Sequence, residues 1–468
     1  MEAQNAAKLF MQATPKKELS LFDSTCIIVG IIIGAGIYNL APDIAKGVGS
    51  GWGVFVIWAV GGLLSLFGAL GYAELATAYP KEGGDYVYLN RAYGKWAGYL
   101  FGWGQLAIIR PGDIAIMAFA FATYARTIFD PLKAYPGYSE RTFAAAAVII
   151  LTGIHILGVR EGKWTQNILT TVKALGLLAI FGVALFSRPA TPVVITEAGW
   201  QPPLSLALVF VLFCYGGWNE MAYVAAEVKN HRKNIVRALV LGAVAVTVLY
   251  LLVNGAFLYS LGYSGLSGSK AVAADTIKTA FPDIGSKLIS ALVCISALGA
   301  VSGLIFTGAR ISYALGAEHS VFRLLGKWNS HTGTPAWALA TQGLIAIGLI
   351  AAFGSIIETI IYTAAPVYAF YLATSLAVIV LRRKEPNVER PYRVTGYPFT
   401  TIVFCAICAF LIYSTITYAW GNQPKSLVVL EAVLLLGMVI YCITEVRDLR
   451  LRQGNKPSID ATNDTTEH

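Results

Sequence analysis

An all-α membrane protein of twelve transmembrane helices is the fold class this sequence predicts, on three observations. Mean hydropathy is +0.62. Only 13% of the 468 residues are charged, too few to cover the surface of a soluble chain of this length. Apolar runs of about 18 residues or more recur from end to end, each long enough to cross a hydrocarbon core of about 30 Å.

Taken in order, the spans are 21–46, 52–79, 96–129, 142–159, 164–187, 204–228, 235–262, 281–316, 335–353, 355–381, 398–420 and 426–444. The first begins near Leu21 and carries no small-residue cleavage pattern, so it reads as a retained helix rather than a signal peptide. Residues 1–20 and 447–468 are short polar tails, and no hydrophilic block between them is large enough for a soluble domain. An even number of spans puts both tails on one side. Of the 35 Lys and Arg residues, with those near a span end counted on the adjacent face, 24 fall on the side of the tails, 9 on the other, and two, Arg110 and Lys173, deep within spans. The positive-inside rule then makes both tails cytoplasmic and the location the cell (inner) membrane.

Net charge is +9, but the charges border membrane spans, which excludes nucleic acid as a partner in favour of the lipid bilayer. Cys26, Cys214, Cys294, Cys405, Cys408 and Cys442 all fall inside apolar spans. No structural disulfide, no metal site and no cofactor is expected. The five histidines are scattered, against a membrane enzyme. No selectivity-filter pattern suggests a channel, and no phosphate-binding loop couples the chain to ATP.

Two spans carry a glycine pair near their middles. The first reads Gly30-Ile31-Ile32-Ile33-Gly34-Ala35-Gly36-Ile37, the sixth Phe213-Cys214-Tyr215-Gly216-Gly217-Trp218-Asn219-Glu220. One such pair is explained by close helix packing. Two pairs at matching positions five spans apart indicate more, because an odd repeat length inverts the second copy. Interrupted helices at corresponding positions of inverted halves point to a transporter binding site. The physics of the breaks suits an amino acid. Freed N–H groups and the helix dipole at the outer half of span 1 attract a carboxylate, and freed carbonyls at the end of the outer half of span 6 attract an ammonium.

These residues carry a family resemblance. The first-span motif resembles that of the amino acid–polyamine–organocation superfamily. Tyr215-Gly216-Gly217-Trp218-Asn219, followed by Glu227, Lys229 and Asn230, is similar to the sixth helix of its L-type amino acid transporter branch. Ile108-Ile109-Arg110-Pro111 and Thr170-Thr171-Val172-Lys173 resemble further branch signatures, and residues 79–86 and 390–394 support them. The resemblance covers about Leu19 to Leu449. It implies a 5+5 inverted-repeat, leucine-transporter-like fold, with repeats at 21–190 and 204–381 and two extra helices at 398–444. It implies sodium-independent secondary transport of amino acids by alternating access, often by exchange. It also implies that Ala35 and Gly36 bind the carboxylate, that carbonyls near Ile32 and Phe213 bind the amine, and that the Phe213 ring closes over the substrate. Gly34, Cys214, Gly216, Gly217, Trp218, Asn219 and Glu220 complete the expected site, with Ile109, Asp113 and Glu220 reading the side chain. Ala35 stands where many relatives carry serine. The outer stretch 130–137 has no cysteine where animal members attach a glycoprotein, so no disulfide-linked heavy chain is expected.

Intramembrane charges are read as functional unless a structural role explains them. Lys173 lies roughly 13 Å along span 5 from Trp164, too deep to reach water. It is expected to replace a sodium ion beside the first break, with Gly30, Ser296 or Ser302 as partners. Arg110 and Asp113 are expected to pair at i, i+3, and Glu220 to bond freed N–H groups of its own break or to face the substrate. Glu74, Glu227 and Glu358, towards span ends, are expected to pack or gate, and His155 to be a satisfied interior histidine. Paired carboxylates make a neutral amino acid the expected substrate. The alternative is a cationic amino acid or polyamine, with proton coupling open.

Overall fold

The computed structural model describes residues 19–80, 83–158, 163–186, 201–223, 225–281 and 285–454; most of both polar tails lies outside them. The chain is helical throughout, and among the described residues the extended pairing consists of two isolated bridges. Helices occupy the stretches the apolar runs mark: α1 Leu21–Ile32, α2 Gly36–Val48, α3 Gly51–Ala78, α4 Asp85–Tyr93, α5 Lys95–Gly104, α6 Arg110–Ile128, α7 Pro136–Ile156, α8 Lys163–Phe186, α9 Leu204–Cys214, α10 His231–Gly268, α11 Val272–Lys278, α12 Gly285–Glu318, α13 Ala336–Phe353, α14 Ile356–Lys384, α15 Phe399–Asn422 and α16 Pro424–Gly454.

Ten of the spans among the described residues are long and apolar enough to cross a membrane unaided, or eleven with α1 and α2 taken together. This is one or two fewer than the expected twelve. Within α8 the apolar helix among the described residues is the shorter stretch Thr170–Phe186. Apolar side chains such as Leu344 and Trp420 stand exposed on the outside, as lipid-facing surface does in a multi-pass membrane protein.

Local chemistry sets the helix ends. Ser20 caps α1 in a reciprocal box with Asp23, accepting from its N–H at 3.2 Å. Ser50 caps α3 through the Gly53 N–H at 3.0 Å, and Ser355 caps α14 through Glu358. α7 starts six residues ahead of its apolar run, at Pro136, whose missing N–H and fixed φ suit a first helical position.

Spans 1 and 6 meet at the centre. α1 lies between α8 and α10, and α2 packs on α9, so the two outer half-helices run together to the two breaks. At the far end the chain is tied again: Leu19 N–H donates to Glu227 O at 3.0 Å and Lys229 N–H to Leu19 O at 2.9 Å. α6 packs against α12, and α3 against α10.

Candidate functional site

The first span breaks after Ile32. Its axis turns by 50° between α1 and α2, across Ile33, Gly34 and Ala35. Gly34 N–H bends back to Ile32 O at 2.7 Å. Ala35, Gly36 and Ile37 stand at the start of α2, and their N–H groups meet no backbone acceptor among the described residues. These three donors lie at the positive end of a helix, the arrangement that holds a carboxylate.

The second break follows Cys214. Gly216 N–H donates to Phe213 O at 3.0 Å, and Trp218–Ala222 continues as a 3-10 turn. Gly217 has φ 108°, and a Cβ there would lie 2.6 Å from Ile31 Cγ2. Both the left-handed backbone and the close approach to span 1 require glycine. Gly36 has the reciprocal role, since a Cβ on it would lie 3.1 Å from Cys214 Sγ. Each break is therefore packed against the other. Phe213, Gly216 and Gly217 are half-buried, whereas Ile32, Gly34, Ala35, Gly36 and Cys214 are buried.

A side chain outside the expected set joins the breaks. Tyr250 on α10 is fully buried, its ring edge-on to Trp58, and its hydroxyl lies 2.9 Å from Ile32 O and 3.1 Å from Cys214 O. It has one proton for two acceptors. Ile32 O already accepts from Gly34, so it has room for an ammonium when the Tyr250 proton turns to Cys214. Nothing in the local pattern around Tyr250 marks it, since its role depends on two carbonyls far away in sequence.

Lys173 is buried and donates to Gly30 O at 3.3 Å, the carbonyl just ahead of the first break. Ser302 Oγ bonds His155 Nε2 at 2.8 Å, which satisfies that interior histidine, and Ser296 Oγ is buried with no partner among the described residues.

Arg110 does not take Asp113 as its ion-pair partner. Its Nη2 pairs with Glu220 across the helix interface, and its Nε donates to Gln105 Oε1 at 3.1 Å. Among the described residues Glu220 accepts from Arg110 and from no N–H group of its own break. The cause is local geometry at both ends. A π turn over Gln105–Ile109 precedes α6, and Glu220 sits in the 3-10 turn Trp218–Ala222 rather than in a regular α-helix. Ile109 and Arg110 are both buried. Of the remaining expected residues, Trp218 turns away into an aromatic cluster with Tyr72, Tyr371 and Phe404. Asn219 Oδ1 accepts from the Tyr371 hydroxyl at 3.1 Å.

Beyond the second break lies a carboxylate that sequence reasoning passed over. Asp85, first residue of α4, is 1% exposed and accepts from Tyr72, from Thr374 at 2.7 Å and from Tyr223 at 2.9 Å. Burial raises its pKa and the three hydroxyls pull it back. The signal was the Gly83-Gly84-Asp85 run opening a helix. Glu74 is equally buried, held by Arg382 at 2.8 Å, Arg390 at 3.5 Å and Val394 N–H at 2.8 Å. That closes the ends of α3 and α14 with the following loop. All six cysteines are unpaired.

A family model described as amino acid permease matches residues 19–440. The chain is 32% identical to the b(0,+)-type amino acid transporter 1 of Mus musculus over 91% of its own length and 88% of that protein. The human protein of that name is also 32% identical, over 86% and 83%. The large neutral amino acids transporter small subunit 2 of Mus musculus is 31% identical over 91% and 80%.

Proposed function

The chain belongs to the amino acid permease family, whose relatives here are amino acid transporters and not enzymes, and on that premise we propose that it is a sodium-independent L-amino acid exchanger working by alternating access. One observation carries the reading: two interrupted helices abut at Gly36 and Cys214, with free N–H donors on one and freed carbonyls on the other. The α-carboxylate lies on Ala35, Gly36 and Ile37. The α-ammonium lies between the carbonyls of Ile32 and Phe213, beneath the half-buried Phe213 ring. Lys173 supplies beside Gly30 the fixed positive charge that sodium would otherwise supply. Arg110 compensates Glu220, so neutral side chains enter without facing that charge.

The placement of two breaks five spans apart supports a 5+5 inverted repeat. The Leu19 bonds to Glu227 and Lys229 support movement of the inner ends of spans 1 and 6 together as the site opens. The distribution of Lys and Arg supports cytoplasmic tails in the cell membrane. No cysteine lies in the outer stretch 130–137, which supports a chain that works without a disulfide-linked heavy subunit.

Uptake of a panel of labelled amino acids into proteoliposomes tests the reading. Uptake should be stimulated by unlabelled amino acid inside and be unchanged when choline replaces sodium. Failure of every amino acid to enter, or a large loss in choline, overturns it.

A further inference from the structure

The inner half of span 6 is held by three side chains, each reaching a different helix. Asn219 Oδ1 accepts from Tyr371 on α14, Glu220 pairs with Arg110 on α6, and the Tyr223 hydroxyl donates to Asp85 on α4 at 2.9 Å. Trp218 to Ala222 are all buried, so the site is sealed along this half-helix.

The helix that Tyr223 meets is itself fastened elsewhere. α4 is tied to α14 along its length: Thr374 donates to Asp85 at 2.7 Å, Tyr93 donates to Ala373 O at 2.9 Å, and Arg91 pairs with Glu385 at 2.8 Å. Tyr86 donates to Glu318 at the end of α12. The turn ahead of α4 is shaped to receive span 6. Gly83 and Gly84 have φ 108° and 48°, and a Cβ on Gly84 would lie 3.0 Å from two ring carbons of Tyr223. Asp85 suits a contact that has to open. Its three hydroxyl donors need acceptors and no proton in return, which a carboxylate provides in full and an amide only in part. When Tyr223 leaves, Tyr72 and Thr374 remain on Asp85, and the freed hydroxyl turns to water. Release costs one charge-assisted hydrogen bond and strands no bare buried charge.

We propose that Asp85 is a positioning residue of the transport cycle, a latch whose bond to Tyr223 holds the inner half of span 6 against α4 and keeps the inner side of the site shut. This rests on the alternating-access reading above, in which the inner ends of spans 1 and 6 move together.

Cys214, 3% exposed at the second break, reports whether the site is reachable. In protein that keeps Cys214 as its single cysteine, a small membrane-impermeant thiosulfonate is applied to either face of oriented vesicles, with no substrate present. Tyr223→Phe removes the latch hydroxyl and leaves Asp85 its other two. It should raise the rate of reaction from the inner face by roughly ten- to hundredfold, and lower the rate from the outer face. Thr374→Val takes a hydroxyl from the same carboxylate on the fixed side, and should leave both rates close to wild type. The assignment is overturned if Tyr223→Phe reacts from the inner face at the wild-type rate. It is also overturned if that variant gains equally from both faces, as a loosened fold would, or if Thr374→Val gains as much. Labelled amino acids that fail to enter wild-type proteoliposomes would sink the amino acid reading separately, whereas the Cys214 rates, which need no substrate, judge the latch.

Discussion

Replacing Glu220 and Arg110 singly and together tests the ion pair that organises the second break. The side chains are 10% and 4% exposed, so each charge depends on the other. Removing one partner of such a pair costs about 3–5 kcal/mol, because the survivor is left buried and uncompensated. The surroundings decide which loss is worse. After Glu220→Gln, Arg110 still has Gln105 at 3.1 Å, the Tyr223 ring with its centroid 5.9 Å away, and Asp113 three residues on. That places the cost near the lower end, about 3 kcal/mol. After Arg110→Leu, Glu220 has no cation, in a region that also holds Asp113 and Asp85, and the cost approaches about 5 kcal/mol. The double variant Arg110→Leu/Glu220→Leu removes both charges and should recover most of the loss, since an apolar pair of similar volume often matches a buried salt bridge. Thermal unfolding of the detergent-purified proteins under one condition gives the order: wild type and double variant highest, then Glu220→Gln, then Arg110→Leu. Additive losses in the double variant would show that the two side chains act independently, and the cross-break pairing would be wrong.

Gly36→Leu is expected to abolish substrate binding while the protein still inserts, because a Cβ already meets Cys214 Sγ at 3.1 Å; near-normal affinity by equilibrium binding would count against the cradle. Lys173→Ala should reduce uptake in proteoliposomes at least tenfold; near-normal uptake by that variant would remove the fixed charge from the site. Asp85 bears on pH. Its carboxyl is raised above 3.8 by burial, so the folded state holds its proton to higher pH than the unfolded chain does. Stability from this group is present in acid and is lost as pH rises from about 3.8 towards the raised value. Asp85→Asn should therefore gain on wild type as pH rises from 4 to neutrality in melts of the two proteins, about 1.4 kcal/mol per unit of raised pKa; parallel curves would remove the titration.

The spans and the two breaks were legible in the amino-acid sequence because both are local properties. Run length against bilayer thickness marks a helix whatever surrounds it. Gly34, Gly36, Gly216 and Gly217 weaken helix propensity at the residues themselves, and the breaks formed there. The Lys173 contact with Gly30 was also readable, since a deep ammonium has few acceptors other than a freed carbonyl. Partners set by packing could not be read this way. Arg110 and Asp113 sit at pairing distance on an ideal helix, but the π turn over Gln105–Ile109 and the 3-10 turn over Trp218–Ala222 direct Arg110 to Glu220, 110 residues away. Tyr250 between Ile32 and Cys214, and Asp85 among Tyr72, Tyr223 and Thr374, likewise join residues from separate spans. Sequence alone marked the apolar helices and where the first and sixth of them break, because apolar length and backbone propensity act residue by residue. Only the tertiary structure decided which buried charges pair across helices, because that depends on side-chain directions fixed when the helices pack.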